Sequence, residues 1–501
     1  MMRSLLLSLL LLVAPFVTIN SSNSPCIPRQ QNYYVNTVID LKGKTLQLPE
    51  GGKMVIGHNG CVKNGVVEGN NTRLSCKREG GIATTLSGTW NTSDIRDSWF
   101  DDTVLSGNMI IDNLNVLQSD RIEQDIWITR NHQLTLSEEH DTGLKVSSNT
   151  TVHLDATISI DGNDLKRYNI ISVNRKQNVR IEGGKVLGDV GKHRYVEGST
   201  SEWGFGVYVY KSNNISISDL TISHCTGDAF YISGPADSGV GEYSNASKDV
   251  RISQCVIDDC RREGISLVHA EGVVIEDCRI LNMGQTEYTA PSYGINIEPN
   301  KNCSVRNVLI QRVVTENTKA ECSFSSGGYQ LSSSGCNRNN VVVRDCKFDK
   351  GVAIMSSGVQ LINTSMSRVI IYPVLMPDEK VAFTGCTING GSGIYLNGKK
   401  APRPESGKEP EYSFIKCTIS ASEAHTSNPA LIWGSEESKL QGITMWFDRC
   451  QIALPRGQRQ FSIISKGIKM AGGFKRCNID AQDYRLDTRG LLMEDCTIKS
   501  K

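Results

Sequence analysis

Apolar positions in this 501-residue chain recur in a fixed order, apolar–x–apolar–x–x–Cys–x–apolar. Val250, Ile252, Cys255 and Ile257 make one copy, and Val273, Ile275, Cys278 and Ile280 make the next. Ile215, Ile217, Leu220 and Ile222 keep the spacing with Leu in the cysteine slot. A second short strand accompanies each copy: Ala229–Ile232, Gly264–Leu267 and Gly294–Ile297. Alternation with period two marks half-buried strands. No two-residue hairpin joins these strands and no helical periodicity separates them. The expected fold is therefore all-β, a single-stranded parallel β-helix whose turns stack on one another.

The repeat also orders the rest of the chain. Val38–Leu41, Thr45–Leu48, Met54–Ile56 and Gly65–Val67 read as first coils or a cap over the open core end. Asp112–Asp125, with spaced Leu, Ile and Val, is where one short helix is expected against the coil. Later copies include Val152 and Leu154 with Thr157 in the slot, then Val179, Ile181 and Val186 around Gly184. Cys303, Val305, Val308 and Ile310 follow, then Val341, Val343, Cys346 and Phe348. Copies around Cys386, Cys417, Cys450, Cys477 and Cys496 close the series. Slot spacing runs from 19 residues (Cys477 to Cys496) to 40 (Cys346 to Cys386), and the excess is expected in loops. Gly234–Ser247, Asn282–Ser292, Thr315–Gly327 and Gly398–Glu411 would wall a groove. The division is a signal peptide at 1–22, a cap with first coils at 23–148, and the β-helix proper at 149–501.

Composition narrows the class. A net charge of +1 without a basic run argues against a nucleic-acid surface. Arg3 followed by the apolar run Leu5–Val13 is short for a membrane span and suits a secretory signal. The expected location is secreted, periplasmic or at the cell envelope, with no span in the mature chain. Sixteen cysteines in an exported chain ordinarily imply disulfides. Eight of them, Cys255, Cys278, Cys346, Cys386, Cys417, Cys450, Cys477 and Cys496, instead share one inward slot, which predicts a ladder of buried thiols. No C-x2-4-C pair comes with matching histidines, so no metal site is assigned.

Chemistry concentrates on one outward face. If Phe230 and Ile232 point inward, Tyr231 points out, level with Tyr208 before it and with Ser266 and Asn296 after it. Asp228 and Glu263 hold equivalent places at the start of their strands, and Glu298 follows Asn296. Asp228, Glu263 and Glu298 are the catalytic candidates. Arg261, Arg262, Tyr231, Asn296, His269, Tyr208 and Trp203 are the candidates for holding a substrate. Two rungs separate Asp228 from Glu298, about 9–10 Å along the axis. Carboxylates ~5 Å apart suit retaining glycoside hydrolysis, and ~6.5–9.5 Å apart suit inversion. Both remain open. Each candidate also has a structural reading: Asp228 after Gly227 can bond turn amides, and Arg262-Glu263 can be a surface ion pair. No GxGxxG, P-loop, HExxH or GxSxG motif is present.

Gly227–Ile232, Arg261–Ser266 and Gly294–Asn300 resemble exported bacterial right-handed β-helix proteins of the pectin-lyase-like superfamily. Trp99-Phe100 and the Ser147–Thr151 turn resemble its amino-terminal part. The similarity runs over Val146–Asn300. It implies a right-handed coil and a carbohydrate-active role. It leaves the reaction open, because hydrolases, lyases, epimerases and phage adhesins share the fold. The usual paired-aspartate and Gly-His-Gly motifs of polygalacturonases are absent, and Asp258-Asp259 sits on a turn. The expectation is a glycoside hydrolase without a cofactor, using two of the three carboxylates. The alternatives are a polysaccharide lyase with Arg261 or Arg262 as base and Ca²⁺ as a possible aid, or a glycan-binding coil without turnover. The expected partner is a polysaccharide or oligosaccharide, and the oligomeric state stays open.

Overall fold

The computed structural model describes residues 17–19, 32–238, 243–327, 340–373, 380–390, 393–398, 411–421, 430–435, 441–454, 460–464, 468–481, 485–487 and 490–500. The segment read as a signal peptide lies outside these apart from Val17–Ile19, and so does 399–410 of the expected loop Gly398–Glu411.

One turn of the coil explains the rest. Ser247–Ser253 runs in a 15-stranded sheet, Val256–Asp258 crosses a second face, and Ile265–Leu267 joins a 13-stranded sheet. The next turn repeats this with Ala270–Glu276, Arg279–Leu281 and Ile295–Ile297. All three strands pair in parallel with those of the turn before: Val250↔Val273, Ile257↔Ile280 and Ile265↔Ile295. The second face is a seven-stranded and a six-stranded sheet, joined through single bridges at Lys347. Inward side chains of all faces meet in one continuous core.

The corner between the first two strands is a single left-handed residue, such as Asp219, Gln254, Asp277, Asp345 or Asp495, with φ of 53–58°. Asp and Asn tolerate this region best because their short side chains bond locally. The residue after the corner enters the core at once and is the cysteine slot. Its thiol donates back to the carbonyl two residues earlier: Cys255 Sγ to Ser253 O at 3.3 Å, Cys278 Sγ to Glu276 O at 3.2 Å. A small side chain carrying one weak donor therefore suits the slot. All fourteen described cysteines are free thiols.

Three copies differ from their sequence reading. Thr364 fills a slot between Cys346 and Cys386, its Oγ1 donating to Ile362 O at 3.0 Å as a cysteine would. The long interval is thus partly an extra rung, not only a loop. Cys303 lies off the ladder, because Val308 and Ile310 pair with Val273 and Ile275, leaving Val313 in the slot. The copy read around Thr157 is out of register: Thr150 and Val152 face Val179 and Ile181, and Ile158 faces Val186. Thr150 stands where the repeat has an apolar residue, and this polar side chain masks the true phase.

The helix spans Gly107–Leu117, earlier than expected, and Gln124–Ile128 is a strand. Ser106 caps it, its Oγ accepting from Met109 N at 3.3 Å. Ile110, Ile111, Leu114 and Leu117 form its buried face. Its asparagines reach adjacent strand backbones: Asn113 accepts from Leu86 N at 2.8 Å, and Asn115 from Lys145 N at 2.8 Å. An edge that would otherwise invite pairing is satisfied in this way.

Candidate functional site

The 13-stranded sheet presents one straight file of outward positions. Register pairs Lys145 with Ser172, Ser172 with Tyr208, Tyr208 with Tyr231, Tyr231 with Ser266, and Ser266 with Asn296. Successive members are one strand spacing apart, ~4.8 Å. The file crosses two chemically different zones.

Its carboxy-terminal zone is a cluster of carboxylates around Arg262. Asp228 and Glu263 precede register partners, Phe230 and Ile265, so their side chains stack on neighbouring turns. Arg262 Nη1 donates to both oxygens of Asp228 at 3.0 and 2.9 Å, and Nη2 to both oxygens of Glu298 at 2.9 and 3.0 Å. Nη1 also lies 3.4 Å from Glu263 Oε2. Ser266 Oγ donates to Asp228 Oδ2 at 2.8 Å and also contacts Glu263. Asn296 Nδ2 reaches Glu263 Oε1 at 2.8 Å and Glu298 Oε2 at 3.1 Å. The carboxylates are thus held by Arg262 and by Ser266 and Asn296 of the file, and no turn amide bonds them among the described residues.

Depth separates their roles. Asp228 and Glu263 side chains are 0% exposed, and Glu298 is 19% exposed. Burial, with the Glu263 charge adding and Arg262 opposing, pushes Asp228 up to about 7. Burial and the charges of Glu263 and Asp228 likewise raise Glu298 well above the usual carboxylate range, against the pull of Arg262. The cluster can therefore hold a proton near neutral pH, at a position that opens to solvent. Burial alone would lower Arg262, but the surrounding carboxylates outweigh it and hold the guanidinium charged. Oxygens of Asp228, Glu263 and Glu298 lie within 4.8 Å of one another, a donor set of the kind that binds hard cations. Here the guanidinium already takes those oxygens.

The amino-terminal zone is an aromatic groove of about 650 Å³. Rings of Phe205 and Tyr231 stack at 4.4 Å, Tyr208 and Tyr231 at 5.8 Å, and Tyr208 and Tyr210 at 5.4 Å. Trp203 is 43% exposed at the rim, with the Arg167 guanidinium 5.6 Å above its ring. Lys145 and Arg167 face this groove, and no ion pair to either is found among the described residues. Lys176 also lines it, bound to Asp120 at 2.7 Å, and Asp141 is its acidic member.

Most sequence candidates therefore converge: Asp228, Glu263, Glu298, Arg262 and Asn296 form the cluster, and Tyr231, Tyr208 and Trp203 line the groove. Two do not reach it. His269 is fully buried, bonding Asp237 Oδ2 at 3.0 Å and the Ser304 backbone, so no ligand can touch it. Arg261 turns away from the cluster. Its Nη1 donates to Thr200 O at 2.9 Å and Ser201 O at 3.3 Å, and its guanidinium stacks on Tyr195 at 4.4 Å. It clasps the 188–202 segment instead of a substrate. Glu202, at the end of that segment, is not among the sequence candidates, yet its Oε2 lies 3.8 Å from Arg262 Nε. No repeat position marks it; only its adjacency to Trp203 could have drawn notice.

The sequence model for a right-handed beta helix region matches residues 121–310 and 190–372, together half of the chain. The chain belongs to this family of right-handed β-helices. It is 31% identical over 205 residues, 39% of its length, to the SPbeta prophage-derived uncharacterized protein YorA of Bacillus subtilis (strain 168). It is 31% identical over 161 residues, 31% of its length, to the uncharacterized protein YclG of the same organism. These matches span 32% and 27% of the relatives' own lengths. Among solved structures it is similar to a tailspike protein, gp49, of Acinetobacter baumannii bacteriophage Fri1, a capsular polysaccharide depolymerase. That likeness has a TM-score of 0.43 at 10% identity and covers 82% of this chain and 63% of that one. It is also similar to the A-module of the Azotobacter vinelandii mannuronan C-5 epimerase AlgE6, with a TM-score of 0.42, 11% identity, and coverage of 75% and 90%. At such scores and identities neither likeness speaks to chemistry.

Proposed function

We propose that this protein hydrolyses a polysaccharide carrying acidic sugars. The observation that carries the reading is the carboxylate cluster around Arg262, standing at the end of an aromatic groove on one file of side chains. Aromatic faces accept sugar rings, and Lys145 and Arg167, which have no ion pair among the described residues, favour anionic ones. Glu298 is the general acid: it is solvent-facing, and its raised proton affinity keeps a proton available for a glycosidic oxygen. Asp228 and Glu263 stay beneath Arg262 and set that affinity. Elimination with Arg262 as base is disfavoured, because a guanidinium among carboxylates holds its proton. Export through residues 1–22 would bring the enzyme to such a substrate.

The test is incubation of the purified chain with neutral and uronate polysaccharides, following new reducing ends and unsaturated-uronate absorbance together. Reducing ends alone support hydrolysis. Absorbance rising with them would replace the reading by elimination, and binding without either product by a glycan-binding coil.

A further inference from the structure

The outward file does not end at the carboxylate cluster. Register carries it from Asn296 to Ser325, and then to Ala353, Ile370 and Tyr395. Ile370 and Tyr395 stand three and four strand spacings beyond Asn296, ~14 and ~19 Å along the axis. Here the file changes character. Ala353 and Ile370 belong to a small apolar cluster separate from the core, with Tyr293, Met355, Tyr372 and Tyr395 packed against it. The core takes the alternate residues Phe324, Val352, Val369 and Ile394, so this second cluster lies on the outer surface of the sheet. Tyr293, Met355, Tyr372 and Tyr395 are only half-buried, and each keeps surface open to solvent. An apolar patch on an outer face marks a binding surface.

Tyr293 joins the patch to the site. It precedes Ile295 by two residues, as Glu263 precedes Ile265, and the two isoleucines are register partners. Gly264 N donates to Tyr293 O at 3.0 Å, so the tyrosine follows Glu263 on the next turn. Burial, with Tyr372 and Glu263 adding, raises the Tyr293 hydroxyl above its ordinary range. The ring therefore stands between the carboxylates and the patch. Charge separates the patch from the groove on the other side of the cluster. The groove presents the cations Lys145 and Arg167. Arg368, two residues before Ile370, is instead paired with Glu321 at 3.4 Å.

We propose that this patch is a second sugar-binding surface, taking a neutral sugar that carries a methyl group, as a 6-deoxyhexose or an acetylated residue does. The inference rests on the proposed function for its occupant, a further stretch of the same glycan. Groove, cluster and patch share one file, so a chain held on both sides crosses the carboxylates. The glycan is then a heteropolymer of acidic and methyl-bearing residues. Tyrosine faces accept the sugar ring, and Met355 and the ring edges favour a methyl group over a hydroxyl.

The experiment titrates the full chain with paired methyl glycosides and reads binding by ligand-observed NMR. The pairs are D-galactose against 6-deoxy-D-galactose, and D-glucose against N-acetyl-D-glucosamine. The expected result is tighter binding of the methyl-bearing member in one pair or both, by about fourfold for one buried methyl group. Tyr372→Ala and Tyr395→Ala should each abolish the preference, with folding checked by circular dichroism, and Tyr395→Phe should keep it. Met355→Gln, which preserves side-chain length, should weaken it. Equal binding within both pairs, or a preference that survives all of these substitutions, overturns the inference. Turnover is read separately. Cleavage of a uronate glycan without the preference leaves the hydrolase reading standing alone, and the preference without any cleavage leaves the sugar surface on a glycan-binding coil.

Discussion

Arg262 places Nη1 3.0 and 2.9 Å from the two oxygens of Asp228, a carboxylate with no solvent exposure one turn earlier in the coil. The pair is the hinge of the site's electrostatics, since the same guanidinium also holds Glu298 and touches Glu263. Removing either member leaves buried charge without its partner.

Arg262→Met should therefore destabilise the fold by about 3–5 kcal/mol at pH 8, the usual cost of breaking a buried pair from one side. At pH 5 the loss should be smaller, because Asp228 and Glu298 bind protons readily and become neutral. Denaturant titrations at the two pH values check this. An equal loss at both would show that the carboxylates do not rely on the guanidinium.

Asp228→Asn addresses the opposite sign. An aspartate raised to about 7 in the fold, against ~3.9 unfolded, binds more protons when folded. Its stabilisation is present below pH 4 and declines as pH rises from 4 to 7. The asparagine variant should lack that part of the decline, so its Tm relative to wild type should rise between pH 5 and 8. Melting curves across that range decide it.

Lys145→Glu with Arg167→Glu reverses two exposed cations of the groove. The expected effect is a rise in KM for uronate glycans of about tenfold at low salt, at roughly 1 kcal/mol or less per exposed charge. The difference should shrink towards 1 M salt, where screening acts within ~3 Å. An unchanged KM would remove the groove from the substrate path.

The slot ladder predicts thiol behaviour. Cys255, Cys278, Cys346, Cys386, Cys417, Cys450 and Cys477 are buried and free, so they should resist an aromatic disulfide reagent in the native protein. Unfolding in the absence of reductant should expose them together. Fewer than half reacting would mean that rungs are bridged.

Much of this architecture was legible in the chain. The Cys255 and Cys278 copies gave the repeat, although read as two strands where each turn has three, because a one-residue corner splits the Val250–Ile257 run. Period-two alternation aimed Tyr231, Ser266 and Asn296 outward. Register then brought Asp228 and Glu263 onto adjacent turns, as the spacing implied. The misreadings have one cause. Thr364 fills a slot by donating like a cysteine, and Thr150 occupies an apolar position. A pattern search keyed on side-chain type passes over residues that satisfy the same contact with different atoms.

The sequence by itself determined the coil, its rungs and the face on which chemistry gathers, because strand alternation and the left-handed corners are local properties repeated many times. Only the tertiary structure decided which charged groups meet. Arg261 and Arg262 are neighbours in sequence, yet one clasps the carbonyls of Thr200 and Ser201 while the other binds Asp228 and Glu298. His269 is sealed inside, and Glu202 reaches the cluster from the far end of a loop. Long side chains at a corner choose partners by distance and desolvation across turns, and those are set by how the rungs stack, not by the order of residues.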